Sequence, residues 1–206
     1  MNVGKFIVFE GIDGAGKTTQ LKLLLNRLEK ANVTYHATKE PTEGVVGQLI
    51  RQVLNKQLEL DEKTMAALFL ADRFHHIQAE TDGMLKHLHL GKHVICDRYY
   101  LSSYAYHSAF LPLEWVIACN APCAKLLRPD VIFFLDLPPT MSLARLTKTR
   151  AHLDLYETKE RLTLVHQQYH AAISRVKSEE NIILLDATET EEAIAEKIWA
   201  VVNELG

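Results

Sequence analysis

Gly11, Gly16, Lys17 and Thr18 stand at G-x-x-x-x-G-K-T spacing within "FIVFEGIDGAGKTTQ", residues 6 to 20. An apolar stretch precedes the loop and helical spacing follows it, which is the strand-loop-helix context that this motif requires. Glycines let the backbone curl so that successive N–H groups face one phosphate chain, and the helix N-terminus adds partial positive charge there. Lys17 then reaches the outer phosphates and the Thr18 hydroxyl is placed to ligate Mg2+. The expected ligand is a nucleoside triphosphate, held along Gly11, Ile12, Asp13, Gly14, Ala15, Gly16, Lys17, Thr18 and Thr19. A second group of residues opens with Asp97 and Arg98, where the apolar "HVICD" runs into "DRYYLSSYAYH". A carboxylate at the end of a buried strand suits a magnesium ion, directly or through water, and an arginine beside it can clamp a second phosphate.

Other chemistries have weaker support. A GTPase switch needs N-K-x-D, and the nearest stretch, "NKQL" at 55 to 58, lacks the aspartate. A motor or transport ATPase would need coupling domains that the length does not accommodate. Cys119 and Cys123 form C-x-x-x-C with no second pair at metal-site spacing. The histidines at 75 to 76 and at 87 and 89 fall on helical segments without a partner cluster, so surface or interface positions are expected. "EEAIAEKIWAVVNEL" has one apolar face, which suits a helix packed on a sheet better than one lying on a membrane.

The elements that must position these residues follow from the apolar pattern. The chain has 206 residues, 48% hydrophobic and 24% charged, with a formal charge of −3. That supports one sizeable core in one domain, residues 1–206, and no basic surface for nucleic acid or anionic membrane. Three cysteines are too few for a disulfide framework. With no targeting signal or long apolar span, a cytoplasmic location is expected. Residues 5–10, 93–97, 131–136 and 182–186 read as strands buried on both faces, with 33–40 a weaker fifth. Residues 18–32, 64–90 with a break near Gly83, 160–177 and 190–205 carry helical spacing. Strand-helix alternation predicts an α/β fold, an about five-stranded, mostly parallel sheet with helices on both faces. Ligands of such sheets gather at the carboxyl ends of the strands.

"FEGIDGAGKTTQ", "LADR" and "CDRYYLSSYAY" together resemble the thymidylate kinases, which pass the ATP γ-phosphoryl group to dTMP. The likeness continues through "RPDVIFFLDLPP", "YETKERLTLVHQQY" and "LLDAT". It implies a P-loop nucleoside-phosphate kinase fold, ATP with Mg2+ as donor, dTMP as acceptor, and a homodimer built on the helix at 64–77. By the same resemblance, Asp13 would bind the acceptor 3′-hydroxyl and Arg98 the acceptor phosphate. Phe69 and Arg73 would stack on and hydrogen-bond thymine, Ser103 would add a base contact, and Tyr106 would pack near the deoxyribose. Glu40 stands as the family expects, in the acceptor loop. Each has a plainer reading: Phe69 as core, Arg73 with Asp72 as a surface pair, and the tyrosines as packing. A kinase for another nucleotide or nucleoside, and a P-loop regulator that transfers nothing, stay open as alternatives.

Two departures from the family pattern stand out. Where many bacterial members carry R-E-P-G-G-T, this chain reads "KEPTEG", so Lys39 loses the bidentate fork and Glu43 adds a negative charge. The P-loop positions Ile12, Asp13, Gly14 and Ala15 include no basic residue, and the missing charge must come from elsewhere. A lid at about 145–158 carries Arg145, Lys148 and Arg150, which resembles the bacterial type with a basic lid. Arg145 would stack on adenine, while Arg150, or Lys148, would reach the transferring phosphoryl group.

Overall fold

A computed structural model describes residues 4–149 and 158–205. β1 (Phe6–Glu10) leads through the glycine loop into α1 (Lys17–Lys30), followed by β2 (Tyr35–Lys39), α2 (Val45–Leu54), α3 (Glu62–Gln78) and α4 (Met84–His89). β3 (His93–Asp97), α5 (Tyr100–Ser108), α6 (Leu113–Leu126), β4 (Val131–Asp136) and α7 (Pro139–Thr149) come next. α8 (Lys159–Val176), β5 (Ile182–Asp186) and α9 (Glu191–Glu204) complete the order. The strands form one sheet, β2-β3-β1-β4-β5, and every pairing is parallel.

Sheet position explains strand composition. β1 lies in the centre and all five of its residues are buried, so it needs apolar side chains on both faces. Its last residue, Glu10, is a buried exception. The expectation that 182–186 is buried on both faces is corrected: β5 is an edge strand and Leu184 is 53% exposed. The strand order turns back on either side of β1, so the crevice at its carboxyl end opens where β3 and β4 flank it. The P-loop fills that place. Gly11 adopts φ 140°, and a Cβ there would lie 2.7 Å from the Leu135 carbonyl oxygen. Gly16, at φ 98°, is the N-cap of α1. Both positions use backbone angles that only glycine adopts without strain.

The helical stretch at 64–90 breaks between Ala79 and Gly83 into α3 and α4, and Asp61 caps α3 by accepting from Lys63 N and Thr64 N. α2, α5, α6 and α7 form in segments that sequence periodicity left unassigned. α2 packs on α3 through a small apolar cluster, Ile50, Val53 and Met65, with Leu54, Leu68 and Phe69 against it. This cluster is separate from the main core under the sheet. α7 changes the reading of the lid, because Arg145 and Lys148 stand on a helix. Arg150 lies outside the described residues. Among the described residues no helix is long and apolar enough to cross a membrane.

Candidate active site

Two cavities meet at the carboxyl edge of the sheet. The first, about 210 Å³, is lined by Asp13, Glu40, Phe69, Arg73, Arg98, Ser103 and Tyr106, together with Pro41, Leu54, Tyr99, Ser102 and His107. The second, about 650 Å³, runs along the P-loop and is lined by Asp13, Gly14, Ala15, Gly16, Lys17, Thr18 and Thr19, with Asp97 and Arg145. Asp13, Glu40 and Arg98 line both. Gly11 and Ile12 are buried behind the loop.

At the junction, Arg98 leaves the end of β3 with φ 71°, an uncommon angle for a side-chain-bearing residue. Its backbone N–H donates to the Phe9 carbonyl at 2.9 Å, which ties this turn to β1. The guanidinium donates to Asp13 Oδ1 at 2.6 Å, to Tyr106 Oη at 3.1 Å, and to Ser102 Oγ, Tyr169 Oη and the Gly11 carbonyl. Tyr106 Oη also donates to Asp13 Oδ2 at 3.0 Å. Burial works to raise the Asp13 pKa, but the Arg98 charge and then Lys17 outweigh it and hold the carboxyl below the usual range. Beneath them lies Glu10, which accepts from the Tyr99 and Ser102 backbone N–H groups and from the Ser102 and Tyr169 hydroxyls. Burial raises the Glu10 pKa against those bonds and the Arg98 charge.

The far end of the smaller cavity is closed by a buried ion pair. Arg73, from α3, donates to Glu40 Oε2 through Nε at 2.9 Å and Nη2 at 2.7 Å, with side chains 1% and 2% exposed. Its Nη1 donates to Ser103 Oγ at 3.0 Å and to Asn120 Oδ1. His76 Nδ1 lies 3.1 Å from the other Glu40 oxygen, and its Nε2 pairs with Thr38 Oγ1. Phe69 meets the ring of His107 edge-on at 5.2 Å. Burial, then the Arg73 charge, lowers the His107 pKa to about 3, so the imidazole is neutral near pH 7. Its Nδ1 is buried without a partner among the described residues.

The P-loop side is less tied. Lys17 Nζ turns back on its own loop and donates to the Gly11 and Ile12 carbonyls at 3.0 and 3.1 Å. Burial, followed by the Arg98 charge, lowers its pKa. The exposed Thr18 hydroxyl donates to Asp97 Oδ2 at 3.4 Å, and Asp97 Oδ1 is buried with no partner among the described residues. Arg145 bridges the Gly14 carbonyl at 3.3 Å and the Ala187 carbonyl at 3.0 Å. Lys148 is exposed on α7 and lines neither cavity.

Several plainer expectations fail. Arg73 and Asp72 are not a surface pair: both are buried, and Asp72 accepts from the Thr42 backbone N–H at 2.7 Å and hydroxyl at 2.6 Å. His76 is buried in the Glu40 network, and His87 joins His36 around Asp82, so these histidines do have partners. Glu43 does not line the smaller cavity and is paired with Lys39 and Arg51 at 2.9 Å each, so its charge is balanced locally. Glu10, Ser102, His107, Asn120 and Tyr169 were missed. A carboxylate closing a wholly apolar strand was a signal for Glu10. The i, i+4 spacing from Ser103 would have placed His107 on the same helical face.

The thymidylate kinase family model matches residues 9–198. A probable thymidylate kinase of Methanocaldococcus jannaschii is 39% identical over 184 residues, covering 89% of this chain and 87% of that protein. A probable thymidylate kinase of Pyrococcus abyssi is 37% identical, covering 97% and 96%. The thymidylate kinase of Ligilactobacillus salivarius is 33% identical, covering 97% and 98%. With a P-loop at the end of a central parallel strand and a second cavity opening beside it, the chain belongs to the thymidylate kinase family.

Proposed function

We propose that this single-domain protein transfers the γ-phosphoryl group of ATP to dTMP, giving dTDP and ADP. The observation that carries this reading is the meeting of two cavities at Asp13, Glu40 and Arg98, because phosphoryl transfer needs donor and acceptor phosphates in one line. The P-loop N–H groups and Lys17 hold the donor phosphates. The Thr18 hydroxyl and the Asp97 oxygen that has no partner among the described residues are hard ligands that fit Mg2+, directly or through water. When bound, that ion would neutralise charge on the β- and γ-phosphates.

Arg98 offers its fork to the acceptor phosphate, and Asp13, held ionised by that arginine, accepts from the 3′-hydroxyl. Phe69 stacks on the pyrimidine, Arg73 and Ser103 address its edge, and Tyr106 packs by the deoxyribose. Arg145, fixed between the Gly14 and Ala187 carbonyls, borders the donor groove at a place that suits the adenine. The basic lid supplies the charge that the P-loop lacks, from Arg150 foremost, with Lys148 in a lesser role. Ala67, Leu70, Ala71 and Phe74 follow i, i+3, i+4, i+7 along α3 with Ala67 and Ala71 exposed, a stripe that supports a two-fold dimer on this helix. The partners of this reading are nucleotides in the cytoplasm, without nucleic acid or membrane.

The test is ADP release with dTMP, dUMP, dCMP, dGMP or thymidine as acceptor. Release only when a monophosphate is added, fastest with dTMP, supports the reading. Faster turnover with dCMP or dGMP would overturn the base assignment, and release indifferent to acceptor would overturn the kinase reading.

A further inference from the structure

Outside the lining of both cavities, three side chains converge between β4 and α8. His166 and His170 stand four residues apart on one face of α8, and Asp136 ends β4. His166 Nε2 lies 2.7 Å from Asp136 Oδ1, and His170 Nε2 lies 3.3 Å from Oδ1 and 3.2 Å from Oδ2. The two Nε2 atoms are 3.4 Å apart. Ligands on a tetrahedral ion with bonds of about 2.0–2.1 Å are separated by about 3.3–3.4 Å, so the histidine pair already has the required spacing, whereas His166 Nε2 and Asp136 Oδ1, hydrogen-bonded at 2.7 Å, would open by about 0.6 Å to admit the ion. The rings meet at 68°, which lets their in-plane lone pairs point toward a common position. Both Nε2 atoms lie within hydrogen-bond reach of the Asp136 carboxylate, which can accept from each, so the three side chains converge on one point.

We propose that Asp136, His166 and His170 form a binding site for a divalent transition-metal ion of the zinc type. Two imidazoles and one carboxylate favour such ions over magnesium. The side chains are 20%, 42% and 32% exposed for His166, His170 and Asp136, so an ion reaches them from solvent and keeps a position open to water. The ring of Phe134 packs edge-on against His170 at 5.7 Å and fixes its orientation. The cluster of His36, Asp82 and His87 lacks these features. Its rings are stacked at 3.8 Å and 7°, His36 Nδ1 stands 3.9 Å from the Asp82 carboxylate, and that carboxylate is 71% exposed. An ion at the proposed site would tie β4 to the helix that carries Tyr169, whose hydroxyl supports Glu10 beneath the junction of the cavities.

The experiment titrates nucleotide-free, chelator-stripped protein with Co2+, followed by visible absorption, and then with Zn2+ by calorimetry. The expected result is one Co2+ per chain with ligand-field bands of low-coordinate cobalt, bleached when Zn2+ displaces it. The bands should vanish in His166→Ala and His170→Ala and persist in His36→Ala/His87→Ala. Both α8 histidines reach solvent, and far-UV circular dichroism checks that their variants stay folded. Absence of cobalt bands in the wild type would overturn the site and leave a hydrogen-bonded cluster only. Bands unchanged in the His166→Ala/His170→Ala double variant would overturn it equally.

Discussion

The acceptor pocket and the donor groove handle charge in opposite ways. Around the acceptor pocket, each cation is already paired: Arg73 with Glu40, and Arg98 with Asp13. Along the donor groove, Lys17 is folded onto its own loop, Thr18 is exposed, and one Asp97 oxygen has no partner among the described residues. A pocket built from one buried and one half-buried ion pair keeps its shape without ligand and places its donors before substrate arrives. A groove whose cations rest on backbone carbonyls is free to exchange those contacts for the phosphates of a ligand. Substitution in the first region should therefore tax folding as well as binding, whereas substitution in the second should remove turnover alone.

The largest expected effect is on the donor side. Lys17→Ala should lower kcat by about 10³-fold or more, because charge on the transferring phosphates is lost, while the urea midpoint stays near wild type. Near-normal turnover in a folded variant would break the donor half of the comparison. On the acceptor side, Arg73→Ala should cost about 3–5 kcal/mol of folding stability, since it leaves Glu40 buried and uncompensated. Adding Glu40→Gln to that variant should restore part of the loss. Unchanged urea denaturation of Arg73→Ala would show that the pocket is not held by this pair. Arg73→Lys keeps a charge but loses the fork, and should weaken dTMP more than ATP.

A smaller effect comes from His107. Its folded-state pKa, about 3, lies below the ordinary value of 6.5, so the unfolded chain binds a proton first as pH falls. Stability linked to this residue is full above pH 6.5 and declines as pH drops toward 3. At pH 5 the penalty is about 2 kcal/mol. His107→Gln should lose that part of the acid sensitivity, measured as a flatter dependence of the urea midpoint between pH 7 and pH 5. Equal slopes in both proteins would contradict the buried neutral imidazole. The smallest effect is expected at Lys148, exposed and outside both cavities, where substitution by alanine should change kcat by less than about tenfold.

What could be read from the sequence depended on how local its cause was. The P-loop was legible because Gly11, Gly16, Lys17 and Thr18 are set by spacing within one turn, and the buried strands because Phe6–Phe9 and Val131–Leu135 are continuous apolar runs. Arg98 was legible as an arginine beside a strand-terminal carboxylate, whereas Arg73 and Phe69 were legible only as parts of family motifs. Their partners were not, because those contacts join distant segments. Glu10 meets the Ser102 backbone across 92 residues, and Arg73 meets Asn120 across 47. The edge position of β5 was hidden for the same reason, since an apolar pentapeptide does not announce which strand will lie beside it. α7 was left unassigned because it is short and its start falls at Pro138-Pro139, although Leu143 and Leu146 give it a helical apolar face.

The central claim is that the two cavities form one continuous site across Asp13, Glu40 and Arg98. It is tested most directly by calorimetry with a compound that joins adenosine and thymidine, 5′ to 5′, through a polyphosphate bridge. One molecule should bind per chain, and saturation with it should abolish the binding of both ATP and dTMP. If it displaced only one of the two nucleotides, leaving the other bound at full affinity, the cavities would be separate and the continuous site would be wrong.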